Sequence, residues 1–105
     1  MDAQADPILV RFRAALHRIY GERLKRVVLF GSRARGDSHA SSDYDVAIFV
    51  DPLGSFGEEA GRLSEIETDL LMEAGVIVNT LPFAPAAATD RTGFMSELRR
   101  DGIDL

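Results

Sequence analysis

Val27-Val28-Leu29-Phe30-Gly31-Ser32-Arg33-Ala34-Arg35-Gly36-Asp37, followed after five residues by Asp43-Tyr44-Asp45-Val46-Ala47-Ile48-Phe49-Val50, is the stretch that decides the fold. Val27 to Phe30 is an unbroken apolar run, the pattern of a buried strand. Gly31-Ser32 ends it in a tight turn, and Ser32-Arg33-Ala34-Arg35 starts a short helix. A polar loop leads to a second strand, Tyr44 to Val50. Side chains two apart on a strand share a face. Asp43 and Asp45 therefore present two carboxylates side by side, close to the glycine turn.

This geometry suits a metal-bound phosphate. A glycine after a strand admits a close ligand. The first N–H groups of a helix are free and carry partial positive charge, and Ser32 adds a hydroxyl. The stretch is not a Walker A loop, because no Gly-Lys-Ser/Thr follows. Two carboxylates on one face meet the preference of Mg²⁺ for hard oxygen ligands completed by water and substrate phosphate.

The flanking sequence predicts a small α/β domain. Asp6 is a good N-cap and Pro7 fits the first helical position. Ile8, Phe12, Leu16 and Ile19 form one apolar stripe on a first helix that stops at Gly21. Arg23 to Arg26 reads as a basic turn into the first strand. Residues 51–54 read as a loop, and Ser55 to Glu58 has capping-box spacing. A second long helix runs from about Gly57 to Ala74, with Ala60, Leu63, Ile66, Leu70, Leu71 and Ala74 inward and its acidic residues in solvent. Val76 to Leu81 is a third strand, closed by Pro82 and Pro85. Ala86 to Ala88 is loop or a short helical turn, and Thr92 to Arg100 is a last helix ending before Gly102. Phe56, Phe83 and Phe94 are core or interface. The expected order is α-β-(short α)-β-α-β-α, with a small mixed sheet flanked by helices in one domain spanning 1–105.

Composition narrows the class. The 105 residues are 46% hydrophobic and 28% charged, as in an ordinary globular protein. The chain has no cysteine, which excludes disulfides and thiolate zinc sites. A net charge of −5 argues against direct nucleic-acid binding. No apolar run approaches a membrane span and no signal peptide is evident, so a cytoplasmic location without membrane attachment is expected.

Gly31-Ser32-Arg33-Ala34-Arg35-Gly36-Asp37 with Ser42-Asp43-Tyr44-Asp45, eleven positions from Ser32 to Asp43, resembles the signature of the DNA polymerase β-like nucleotidyltransferase superfamily. It is most similar to the minimal, stand-alone nucleotidyltransferases. The resemblance implies that Gly31 and Ser32 bind nucleotide phosphates, with Arg35 and Ser42 in the same role. It implies that Asp43 and Asp45 are catalytic and hold two Mg²⁺ ions when nucleotide is bound. The reaction would transfer AMP, or another NMP, from ATP or another NTP to a hydroxyl. Minimal members often act as antitoxins of a HEPN-domain ribonuclease toxin, and some add AMP to a tyrosine on it. A HEPN-family toxin and ATP are thus the implied partners.

The sequence departs from the family on one strand. The family places a third carboxylate there, which helps activate the attacking hydroxyl. Val76 to Leu81 carries no acid, and Asn79 is its one strong oxygen ligand. Asp37, in the loop, and Asn79 are the possible auxiliaries. Two readings stay open: an active two-aspartate enzyme, and a nucleotidyltransferase fold that neutralises its toxin by stoichiometric binding.

Overall fold

A computed structural model describes residues 2–39 and 42–105; Met1 and the loop residues Ala40 and Ser41 lie outside the described residues. Four helices and a four-stranded sheet follow in the order α1 (Pro7–Tyr20), β1 (Leu24–Phe30), α2 (Gly31–Arg35), β2 (Tyr44–Val50), α3 (Phe56–Ala74), β3 (Val78–Phe83), α4 (Gly93–Asp101) and β4 (Ile103–Asp104). The sheet order is β3-β2-β1-β4. β1 runs antiparallel to β2 and β4, and β2 runs parallel to β3, so the sheet is mixed as expected.

Strand alternation builds two cores. Val27 and Leu29 of β1, and Tyr44, Val46, Ile48 and Val50 of β2, pack with Leu9, Phe12, Leu16 and Tyr20 of α1 and Leu63, Ile66 and Leu70 of α3. Val28, Ala47 and Phe49 face the other way, onto Met95 and Leu98 of α4. Phe83 stacks between Phe49 and Phe94 there, at centroid distances of 5.7 and 5.6 Å. Phe83 and Phe94 are thus core side chains, whereas Phe56 is 83% exposed. With both faces covered, the central strands read as continuous apolar runs rather than alternating ones.

Several expected boundaries and faces move. On α1, Asp6 caps the helix by accepting from Ile8 N–H at 2.8 Å and Leu9 N–H at 3.4 Å. The buried stripe is Leu9, Phe12, Leu16 and Tyr20. Ile19 is exposed, because the helix turns Tyr20 inward, where its hydroxyl donates to buried Glu59 at 3.2 Å. β1 begins at Leu24, so the expected basic turn is largely strand.

On α3, Ser55 caps through Glu58 N–H, but Glu59 is fully buried and Ala60, Leu71 and Ala74 are exposed. β3 extends to Phe83 and contains Pro82 rather than stopping before it. It is an edge strand, where a residue without an N–H is tolerated. The N–H of Thr80 is met by the Glu67 carboxylate of α3 at 2.9 Å, which blunts that edge. Residues Pro85–Thr89 form a 3₁₀ turn and Thr92 caps α4. The short β4 is an addition to the expected order. Among the described residues no helix is long and apolar enough to cross a membrane.

Candidate active site

The parity of β2 sets the site. Tyr44 points to the α1–α3 side and Asp45 to the α4 side, with Asp43 following Asp45. The ladder pairs Asp45 with Phe30 of β1 on one flank and with Asn79 of β3 on the other. The last residue before the glycine turn, Phe30, and the one amide side chain of β3, Asn79, are thereby brought to the aspartates.

Gly31 has φ +73°, a conformation in which a side chain is strained. A Cβ built there would stand 2.5 Å from Asp45 Oδ2. Only glycine lets the β1–α2 turn lie against this carboxylate. Ser32 follows as the second residue of α2, half-buried, and its carbonyl accepts from Asp37 N–H at 3.1 Å.

Asn79 gathers the aspartates. Its Nδ2 donates to Asp43 Oδ2 at 3.2 Å and to Asp45 Oδ1 at 3.1 Å. One amide nitrogen carries two protons, so two carboxylates converge on a single point. A Mg²⁺ ion takes oxygen ligands at about 2.0–2.1 Å in octahedral geometry, usually from one or two carboxylates with water and phosphate completing the shell. The convergent carboxylates and the space that only a glycine leaves beside Asp45 fit such an ion. Asn79, turned over about its terminal bond, offers a carbonyl oxygen as well. Among the described residues no group of three or more His, Cys, Asp or Glu is placed to hold a metal ion. Two further acids stand away from this point. Asp51 lies at the far end of β2, with its N–H on the Arg23 carbonyl at 2.9 Å, and Glu73 pairs with Arg11 of α1.

The remaining expected site residues divide. Arg35 donates to Asp37 at 3.3 Å and to Glu97 of α4 at 3.5 Å, so this arginine and this aspartate neutralise each other at the α2–α4 junction. Ser42 shapes the loop: its hydroxyl accepts from His39 N–H at 3.0 Å and its N–H donates to the His39 carbonyl at 2.9 Å. The sequence pattern does not single out Arg33, yet it donates to the Ser42 carbonyl through Nε at 3.0 Å and Nη2 at 2.8 Å. The signal available was parity: the alternation that aligns Asp43 with Asp45 sends Tyr44 inward. There its hydroxyl donates to buried Asp6 at 2.9 Å. Burial first, then the hydrogen bond and charge of Asp6, push the Tyr44 phenol up from its ordinary value, against the opposing charge of Arg33.

The sequence model of the nucleotidyltransferase domain family matches residues 9–101. The chain belongs to this family. It is 28% identical over 98 residues to "Putative protein adenylyltransferase MJ0141" of Methanocaldococcus jannaschii, which covers 93% of this chain and 95% of that protein. A second protein of that organism, "Putative protein adenylyltransferase MJ0604", is 36% identical over 70 residues, covering 67% of this chain and 64% of its own. Among solved structures, a chain of a toxin–antitoxin crystal structure with AMP-PNP superimposes with TM-score 0.62 at 19% identity, covering 89% of this chain and 68% of that one. A chain from the complex of tri-AMPylated Shewanella oneidensis HEPN toxin with MNT antitoxin gives TM-score 0.56 at 14% identity, covering 92% and 70%. At such identities these superpositions establish the fold.

Proposed function

We propose that this chain is a Mg²⁺-dependent protein adenylyltransferase that transfers AMP from ATP to a hydroxyl, most simply a tyrosine, of a HEPN-family toxin, and so acts as its antitoxin. The observation that carries the reading is the convergence of Asp43 and Asp45 beside Gly31. The toxin–antitoxin setting of the similar structures supports the choice of partner, and the names of the two M. jannaschii relatives support a protein acceptor. A cytoplasmic location goes with that setting.

The residues divide the chemistry. Asp43 and Asp45 would hold the cations, and Gly31 and Ser32 would receive the phosphates at the turn after β1. When bound, Mg²⁺ supplies charge neutralisation at the phosphates and at the oxygens entering and leaving. The acceptor hydroxyl attacks the α-phosphorus, a new O–P bond forms, and the bond to the bridging oxygen breaks to release pyrophosphate. Asn79 is neutral and takes no proton, so the hydroxyl proton passes to an aspartate carboxylate or to water. Phosphoryl transfer draws most of its rate from positioning and electrostatics, which a two-aspartate site can provide.

The test incubates the protein with labelled ATP, Mg²⁺ and a HEPN-family toxin from the same genome. Wild type labels the partner and Asp43→Ala/Asp45→Ala does not; equal labelling by both would sink the reading. A second reading, stoichiometric neutralisation, is favoured by the amide of Asn79 where the family keeps a carboxylate. It predicts that the double aspartate variant, folded, still protects cells from the toxin.

A further inference from the structure

Asp45 is fixed by the sheet, with ladder partners on both sides, whereas Asp43 precedes the first ladder pair, Tyr44 with Val78. Its carboxylate must nonetheless stay beside that of Asp45 against mutual repulsion. The residues on either side of Asp43 are both gripped by one guanidinium. Arg33 donates Nε and Nη2 to the Ser42 carbonyl, at 3.0 and 2.8 Å, and its central carbon lies 3.8 Å from the centroid of the Tyr44 ring. Nη2 also reaches the His39 carbonyl at 3.5 Å. Tyr44 is tied at its far end to Asp6 Oδ2 at 2.9 Å. Asp6 is 4% exposed and uses Oδ1 to cap α1. A continuous chain of contacts thus runs from α2 through Arg33 to both neighbours of Asp43, and through Tyr44 to the start of α1.

We infer that Arg33, with Tyr44 and Asp6 behind it, is a positioning clamp that sets Asp43 against Asp45 for the divalent cation. The inference rests on the metal-dependent reading above. The planar fork is required: two parallel N–H groups hold one carbonyl while the face of the same group stacks on a ring, which an ammonium cannot do. Arg33 grows from the helix that carries Ser32, so the clamp also links the phosphate turn to the metal aspartates. Outer-shell groups that orient ligands typically contribute about 10–100-fold in metal affinity or activity.

The test measures Mn²⁺ affinity by electron paramagnetic resonance, with a non-hydrolysable ATP analogue present, alongside melting temperature. Arg33→Lys keeps the charge but loses the fork and the stack, and should weaken Mn²⁺ binding about tenfold. The same change in an Asp43→Asn background should weaken it no further, because the ligand being positioned is already gone; a merely structural arginine would weaken both backgrounds alike. Tyr44→Phe keeps the ring and loses only the anchor to Asp6, and should give a smaller loss in the same direction; it serves if Arg33→Lys fails to fold. Wild-type Mn²⁺ affinity in folded Arg33→Lys, or in Tyr44→Phe where the lysine variant does not fold, overturns the clamp alone. Failure of the wild type to bind Mn²⁺ with the analogue overturns the functional reading, and the clamp with it.

Discussion

Asn79 lies opposite Asp45 in the parallel β2–β3 ladder and donates its side-chain amide to Asp45 Oδ1 at 3.1 Å. The same nitrogen reaches Asp43 Oδ2 at 3.2 Å. An amide here stabilises a pair of like charges in the metal-free protein. A carboxylate at the same place would add a third negative group and a third cation ligand. The residue thus trades metal-free stability against catalytic reach.

Asn79→Asp should therefore raise the rate of labelling. A positioned general base contributes about 10²–10⁴-fold, and a third ligand tightens the metal. The metal-free protein should melt at a lower temperature than wild type and regain more of it on adding Mg²⁺. Initial rates at saturating ATP and melting curves with and without Mg²⁺ check both halves. A slower variant with an unchanged metal-free melting temperature would show that Asn79 has another task.

Gly31→Ala should damage the site more than the fold alone explains. The backbone there has φ +73° and the new Cβ would sit 2.5 Å from Asp45 Oδ2. Gly36→Ala is the matched control, with φ +81° and nothing within 4 Å of the added carbon. Both variants should lose about 1–2 kcal/mol of stability from left-handed backbone. Only Gly31→Ala should also displace Asp45 and lose Mn²⁺ binding. Urea denaturation and Mn²⁺ titration of the pair separate the two effects.

The site was legible where chemistry restricts residue type. A turn with φ above zero wants glycine, and two carboxylates on one face require spacing two. Gly31, Asp43 and Asp45 could thus be placed from the sequence alone, and Asn79 by the lack of any acid on its strand. The apolar run of β2 gave its bounds for the same reason, since burial on both faces leaves no room for polar residues. Glu59 was not legible, although a signal existed: it sits four residues before Leu63 on the stripe continued by Ile66 and Leu70. An acid among acids reads as solvated until its partners are known, and those are Tyr20 of α1, Arg23 just before β1, Gly54 in the loop after β2 and Arg62 one turn further along α3. Pro82 misled because a proline stops a central strand, and only the sheet order reveals that β3 is an edge. The two-residue β4 depends on pairing with Val28 and Leu29, which no local pattern announces.

Glu59→Gln should destabilise the protein by roughly 1–3 kcal/mol, the range for disturbing the hydrogen bonds of a buried polar group, because the arginines it leaves behind remain partly solvated. The wild-type carboxylate is fully buried and accepts from Arg62 at 2.8 Å, from Gly54 N–H at 2.9 Å, and from Tyr20 and Arg23 at 3.2 Å each. Burial alone would raise its pKa, but the hydrogen bonds from Gly54, Arg62 and Tyr20 outweigh burial and hold it below the ordinary 4.5. A depressed folded value stabilises the protein above the unfolded value, and the contribution is lost as pH falls through the folded one. The gap in urea midpoint between wild type and Glu59→Gln should therefore be widest near neutrality and narrow below about pH 4. A gap independent of pH would mean that the carboxylate's charge contributes nothing.

The alkaline limb depends on the two tyrosines, which are the only ones in the chain. Burial, then the charge and hydrogen bond of Glu59, push Tyr20 from the ordinary 10.0 up to about 12. Tyr44 moves the same way, through burial and then Asp6. Both phenols donate to carboxylates, so ionising either would set two negative groups face to face in a buried site. A raised folded value contributes stability that is complete below the unfolded pKa and is lost as pH rises toward the folded one. Absorbance at the phenolate band should thus show no step near pH 10 in the native protein. It should rise above that, with the Tyr20 step toward about pH 12, together with loss of the folded circular-dichroism signal. In Glu59→Gln the partner charge is gone, and one of the two phenols should titrate earlier. If the wild type instead gives a full two-tyrosine step near pH 10 while still folded, neither hydroxyl is held as described.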